Sequence, residues 1–177
     1  MNAFDDQPTL TSDLVSIRPI EATDLEGLYA PASDPRVWAD HPAKDRYQRD
    51  VFERWFADGQ ENRALVFLRA NSDEIIGSSR YYKVDTEPTD ICIGFTFIGL
   101  DYWGGAYNRA IKTLMLDHAF RSFDKVWFHI APSNLRSQKA TMKLGASYVR
   151  DEVNSLSADG VIWQCYALSA TDWQRRT

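Results

Sequence analysis

The sequence predicts an α/β chain (α+β in layout) on a mixed, mostly antiparallel sheet of about seven strands with about four helices. Three observations carry this. Strand-like segments at Ala64–Ala70, Ile75–Val84 and Ile91–Ile98 follow one another through links too short for helical crossovers, which favours antiparallel pairing. A Gly-rich turn then opens a long amphipathic segment, with Ile111, Leu114, Met115, His118 and Ala119 on one face. After it, apolar strand patterns alternate with one short helical pattern to the end of the chain.

Taken in order, Leu14–Ile20 alternates and suggests a first strand. Thr23-Asp24-Leu25-Glu26 has capping-box spacing, so a helix should start there and fade before Pro31. Asp34–Pro42 is turn-rich. Over Asp45–Asp58, Val51, Phe52, Trp55 and Phe56 recur at helical spacing, and Gly59 is a plausible stop. The three central strands come next, then the long helix to Phe123. Val126–Ile130 is a short strand, and Leu135–Leu144 a helix with Gly145 at its C-cap. Strands near Tyr148–Val153 and Val161–Leu168 complete the order, with a hairpin tip at Ala158-Asp159-Gly160.

The 177 residues are one domain's worth, 44% hydrophobic and 25% charged, which are ordinary globular values. The net charge is −5, and the densest basic stretch, Arg136–Lys143, is short. Nucleic-acid binding driven by phosphate neutralisation and attraction to anionic membranes are therefore not expected. Cys92 and Cys165 lack CxxC or metal spacing and read as buried, reduced thiols, with no metal expected. The polar, acidic N-terminus is not a signal peptide and no apolar run approaches membrane-spanning length, so the expected compartment is the cytoplasm.

The chemistry-bearing segment is strand, Gly-rich turn, helix. A helix N-terminus offers unpaired N–H groups and the positive end of its dipole, and small residues let a phosphate approach them. Gly104, Gly105 and Ala106 are the small residues, and Tyr107 and Asn108 add first-turn amides. The turn lacks the Gly-Lys-Ser/Thr of a Walker loop and the third Gly of a dinucleotide fingerprint. By itself it also serves as a plain tight helix start.

A second segment, Ile130 to Ala146, follows the next strand. Together the two resemble the GNAT N-acetyltransferase superfamily, specifically its RimJ/RimL-like ribosomal-protein N-acetyltransferase branch. The matching motifs are Trp103-Gly104-Gly105-Ala106-Tyr107-Asn108, His118-Ala119-Phe120, Asn134-Leu135-Arg136-Ser137 and Leu144-Gly145-Ala146. Leu14–Pro19, Glu21–Leu28 and Leu168–Trp173 look like the branch as well, so the likeness spans nearly the whole chain as a single domain over residues 1–177. Asp101 stands where the superfamily usually has Gln or Arg, Ala106 is a permitted substitute for Gly, and Val149-Arg150 replaces a frequent Glu-Gly.

The resemblance implies a GNAT fold, acetyl-CoA as co-substrate and no metal. It implies the pyrophosphate on the amides of Gly104–Asn108 beside Trp103, and pantetheine as a pseudo-strand beside Phe97 and Ile98. Asn134 would hold the pantetheine arm, and Arg136, Lys139 and Lys143 would meet the adenosine phosphates; each also reads as a solvated helix face. Transfer requires a neutral amine, an acid or hydrogen-bond partner for the leaving thiolate, and help for the oxyanion. An α-amine is roughly a tenth neutral at pH 7 and a lysine under about a thousandth, so an N-terminal acceptor asks less of a base. Ser137 is the candidate acid, with Tyr148 next in line, and Glu152 the candidate base, which as a strand carboxylate also reads as merely solvated. Trp38, His41, Tyr81, Phe95 and Trp163 are candidates to line the acceptor cleft, although aromatics more often build core. His118 reads as structural. The expected acceptor is a protein or peptide N-terminus or a small amine, and a homodimer is left open. An acyl-CoA-binding sensor without turnover and a nucleotide-binding α/β module are open to the same residues.

Overall fold

The computed structural model describes residues 4–153 and 160–176. Its elements are β1 (Leu10–Thr11), β2 (Val15–Pro19), α1 (Leu25–Ala32), α2 (Arg49–Glu61), β3 (Leu65–Arg69), β4 (Ile75–Tyr82), β5 (Ile91–Ile98), α3 (Ala106–Ala119), β6 (Lys125–Ile130), α4 (Leu135–Lys143), β7 (Ser147–Glu152), β8 (Trp163–Ser169) and α5 (Ala170–Gln174). The strands form one mixed sheet in the order β1-β2-β3-β4-β5-β6-β8-β7. The two elements beyond expectation are β1, two residues long, and α5, a single capped turn; neither is long enough to show periodicity. Among the described residues no helix is long and apolar enough to cross a membrane. The chain gathers into two compact units: Met1–Ala39, Ala43–Tyr81 and Phe95–Met115 in one, Asp40–Pro42, Tyr82–Gly94 and Leu116–Thr177 in the other.

In the first unit, β2, β3 and β4 pair antiparallel, with Ile17↔Phe67 and Phe67↔Gly77 in register. Helix α2 presents Phe52, Trp55 and Phe56 at helical spacing, and Phe52 and Phe56 are buried with Trp38, Val66 and Phe97. Burying a side chain such as Phe52 is worth about 2–3 kcal/mol. Helix α2 continues through Gly59, where a stop was expected, and ends at Glu61, with Asn62 as its C-cap and left-handed Arg63 (φ 58°) just after it. Gly59 is buried with an ordinary φ, and a Cβ there would make ordinary contact with Ala64 Cβ at 3.4 Å, so the helix runs through it without a break. Helix α1 likewise runs past Pro31 to Ala32. A proline in the last turn forfeits only one hydrogen bond, and Pro31 packs against Gly99. The entry to α1 is set two residues earlier than the expected Thr23–Glu26 box, over Glu21–Asp24. Asp24, 5% exposed, accepts Glu21 N–H (2.7 Å) and receives a two-pronged Arg18 guanidinium (2.8 and 2.8 Å).

In the second unit, β6 lies parallel to β5 at Ile91↔Val126 and Cys92↔Trp127, and antiparallel to β8 along its length. Val84, Cys92, Trp127 and Cys165 form the buried cluster on one face. The edge strand β7 is bulged between Tyr148 and Arg150, so Tyr148 opposes Tyr166 but Arg150 opposes Cys165. That extra residue, Val149, turns Arg150 and Glu152 onto the face of Cys165 and His129. Gly145 ends α4 with φ 103°. Of the expected hairpin tip, Ala158 and Asp159 lie outside the described residues; Gly160 is left-handed (φ 71°).

Candidate active site

In the first unit, the chain leaves β5 at Gly99, makes one tight turn over Leu100–Tyr102 and reaches Trp103, Gly104 and Gly105 before α3 begins at Ala106. Trp103 Nε1 donates to Ile98 O (2.7 Å), fixing the loop to the end of β5. Tyr102 donates to the Glu74 carboxylate and meets the Tyr107 ring edge-on, which steadies the start of α3. Gly104 needs its missing side chain, because its φ is 68°. A Cβ on Gly104 would meet nothing within 4 Å, and one on Gly105 only Trp103 O at 4.0 Å. The loop thus presents open space before the first-turn N–H groups of α3, which have no partner within their own helix.

Phe95, within β5, is left-handed (φ 54°), unusual for a bulky residue inside a strand. Its ring lies under the Arg80 guanidinium at 3.5 Å, and Arg80 also donates to Asp58 (2.7 Å). Arg46 sits over Trp38 and Trp55, and burial pulls its pKa down to about 10. Trp38 itself is buried and donates to Ala32 O (2.8 Å); Tyr81 is buried and donates to Met115 O (2.7 Å). Both are built into the core of this unit, as is Phe97; Ile98 is buried too. Sequence reasoning missed Lys112, a buried lysine that donates to Thr96 Oγ1 (2.9 Å), which in turn bonds Ser79 Oγ (2.7 Å). Burial pushes its pKa down to about 7.

In the second unit, Asn134 is buried at the N-cap of α4 and its Oδ1 accepts Ser137 N–H (3.2 Å). Ser137 therefore sits in the first turn of α4, next to Gln138, which bonds the carbonyls of Ala131 and Pro132. Arg136 is half-buried, and burial lowers its pKa against the opposing pull of Asp40. Lys139 and Lys143 are exposed. His41 lies in the short Asp40–Pro42 segment, where Asp40 O accepts Ser133 Oγ–H (3.3 Å). Tyr148, also exposed, donates to Asp151 (3.2 Å).

The same unit holds a polar cluster that sequence reasoning scattered. Tyr82 OH and His129 Nδ1 are 2.8 Å apart, and His129 Nε2 lies 3.5 Å from Glu152 Oε1. Glu152, expected as a solvated carboxylate, is instead 9% exposed. It accepts Thr86 Oγ1–H (3.0 Å) and Arg150 Nε–H (2.7 Å), because the bulge at Val149 turns it inward. Cys165 stands opposite His129, and the donor atoms of His129, Glu152 and Cys165 lie within 4.8 Å of one another. Burial pushes both the Cys92 and Cys165 thiols up to about 12. Trp163, opposite Glu152, keeps its Nε1 buried without a hydrogen-bond partner among the described residues. The strand pattern of β6 put His129 on the face of Trp127, but only the register of β8 and β7 brings the partners there.

A mixed sheet with a small-residue loop feeding a helix N-terminus defines an α/β class whose turn can receive an anion, and comparison with known proteins narrows it. Residues 15–147 match the family model for the acetyltransferase (GNAT) domain. The chain belongs to this GNAT acetyltransferase family, whose members carry out acetyl-CoA-dependent N-acetylation. No curated protein matches the sequence. Among solved structures, a GCN5-related N-acetyltransferase from Brucella melitensis superposes with TM-score 0.83 at 14% identity, over 97% of this chain and 83% of that one. RimJ from Mycobacterium smegmatis in complex with CoA-disulfide gives TM-score 0.66 at 16% identity, over 95% and 88%. Spermidine N-acetyltransferase from Vibrio cholerae in complex with CoA and spermine gives TM-score 0.66 at 15% identity, over 92% and 99%. At these identities the likeness is one of fold.

Proposed function

We propose that this chain transfers an acetyl group from acetyl-CoA directly to a primary amine, either a protein or peptide N-terminus or a small amine. The observation that carries the reading is the loop at Gly104–Gly105, open in front and leading into the first turn of α3. Left-handed Gly104 turns the chain so that successive N–H groups can converge on a pyrophosphate without a basic side chain. CoA in two structurally similar proteins, RimJ and spermidine N-acetyltransferase, supports the donor; spermine in the latter supports an amine acceptor. Strand β5 pairs with β6 at Ile91 and Cys92 and turns left-handed at Phe95, which supports a peptide-like pantetheine arm running beside Phe97 and Ile98. Acetyl-CoA supplies the activated thioester. Asn134 and the α4 cations Arg136, Lys139 and Lys143 support its binding, and Ser137 hydrogen-bonds the departing thiolate. The thiols support direct transfer: Cys92 and Cys165 are buried and held protonated, so neither is a nucleophile at neutral pH.

Gly105→Val is the decisive variant, because position 105 has an ordinary φ and room for a side chain, so the fold should tolerate it. Calorimetric titration with CoA should show affinity reduced at least about tenfold, as expected when a phosphate loses its approach to backbone N–H groups. Unchanged affinity in a folded variant would remove the phosphate from this loop. Release of CoA from acetyl-CoA with any of a panel of spermine, amino acids and short peptides then separates an enzyme from a sensor that only binds.

A further inference from the structure

The geometry points to a proton relay of Tyr82, His129 and Glu152, in which Tyr82 takes the proton from the attacking amine. It rests on the acetyl-transfer reading and assigns that reaction its base. The imidazole is the middle member. Its Nδ1 is 2.8 Å from the Tyr82 hydroxyl, and its Nε2 is buried without a hydrogen-bond partner among the described residues, 3.5 Å from Glu152 Oε1. An Nε2 proton therefore points toward one carboxylate, and that carboxylate is fixed by Thr86 and Arg150. The His129 side chain is wholly buried and cannot meet a substrate, whereas Tyr82 is only half-buried. Tyr82 is thus the catalytic residue, and His129 and Glu152 act through it.

Gly94 makes room for this arrangement. A Cβ at position 94 would lie 2.8 Å from Tyr82 Cε1 and 3.1 Å from its hydroxyl, so any larger residue would push the phenol off the imidazole.

The proton count balances. The amine nitrogen bonds to the thioester carbon and the C–S bond breaks, its electron pair leaving on sulfur. The nitrogen gives one proton to the Tyr82 oxygen as the phenol's own proton passes to His129 Nδ1. The imidazolium, still carrying Nε2–H, is stabilised by Glu152. The proton returns by the same route to the thiolate, so neutral amine and thioester become amide and thiol; an acceptor arriving as ammonium first releases one proton to water. Among the described residues, the ionisable groups around the imidazole are Tyr82 from β4, Glu87 from the loop after it, Arg150 and Glu152 from β7, and Cys165 from β8. Burial holds His129 below the ordinary histidine range, against Glu152 and Glu87, so it is neutral at pH 7 and able to accept.

The test uses the full chain with Tyr82→Phe, His129→Gln and Glu152→Gln. CoA release from acetyl-CoA, with spermine and Ala- or Ser-initiated tripeptides as acceptors, should fall about 100-fold in the first two variants while KM for acetyl-CoA barely moves. Below the usual histidine range the acid-side slope of kcat/KM should steepen in the wild type beyond the unit slope set by the acceptor ammonium, and that extra step should vanish in His129→Gln. Long-range 1H–15N spectra of the imidazole need no acceptor: they should show an unprotonated Nδ1 and a protonated Nε2, with the Nδ1 resonance displaced in Tyr82→Phe. An Nδ1-protonated tautomer overturns the relay. So do variants that keep wild-type turnover and pH profile, or stoichiometric Zn2+ on His129, Glu152 and Cys165 whose removal by a chelator abolishes turnover. If CoA binds but no acceptor releases it even from the wild type, the acetyl-transfer reading fails, and the imidazole tautomer still decides the Tyr82–His129 contact.

Discussion

Lys112→Met should flatten the dependence of stability on pH between neutrality and pH 9. The wild-type lysine is buried, and desolvation takes its pKa from 10.5 to about 7. Between those two values the unfolded chain holds the proton more tightly than the folded one, so stability rises with pH through the window; the cost of the group is largest below pH 7. Each pH unit is worth about 1.4 kcal/mol, so the wild type should gain roughly 2–3 kcal/mol between pH 7 and pH 9 from this residue alone. The methionine variant keeps similar volume, and Thr96 keeps its bond to Ser79. The two buried thiols titrate near 12, outside the window. Urea unfolding of both proteins at pH 7, 8 and 9 provides the measurement. Parallel lines for the two proteins would mean that Lys112 is solvated or ion-paired in solution and that the desolvation argument is wrong.

Three further outcomes are expected. Asn134→Ala should cost about 1 kcal/mol in unfolding free energy through loss of the α4 cap, with Asn134→Asp largely restoring stability, and should raise KM for acetyl-CoA more than it lowers kcat; the reverse kinetic split would assign Asn134 to the transition state. Ser137→Ala should lower turnover roughly tenfold to a thousandfold while leaving CoA affinity intact, and wild-type turnover would show that the departing thiolate does not depend on a hydrogen bond from Ser137. Asp24→Ala, which strands the Arg18 guanidinium and frees Glu21 N–H, should destabilise the chain by about 3 kcal/mol; a denaturation midpoint unchanged from wild type would show the pair to be dispensable.

Much of the fold was legible because local chemistry and tertiary structure agree. Strand β5 occupies the expected Ile91–Ile98, a β-branched and aromatic run bounded by Asp90 and Gly99. The start of α3 at Ala106 follows from the two glycines before it. Disagreement arose where packing outweighs local preference. Gly59 keeps an ordinary φ and so does not stop the helix, and Pro31 is harmless at a helix end. The acceptor candidates Trp38 and Tyr81 are aromatic, but nothing in their sequence neighbourhood distinguishes a cleft wall from a core. The His129 cluster was out of reach for a sharper reason. It joins β4, β6, β7 and β8, and depends on a one-residue bulge that reverses which side chains of β7 face inward. Without Val149 as the extra residue, Glu152 would face away from His129, and no alternation pattern announces such a slip.

The state of the two cysteines makes the chain a convenient carrier for spectroscopic labels. With pKa values near 12, only about one thiol in 10^5 is ionised at pH 7, and both sulfurs are buried as well. Maleimide and thiosulfonate reagents attack thiolate, so the native cysteines stay dark under ordinary labelling conditions. A single cysteine placed at an exposed position such as Leu135 or Tyr148 would then take a fluorophore or spin label alone, with no cysteine-free background to engineer. Pairs of such sites would report distances across the molecule as acetyl-CoA and amines are added.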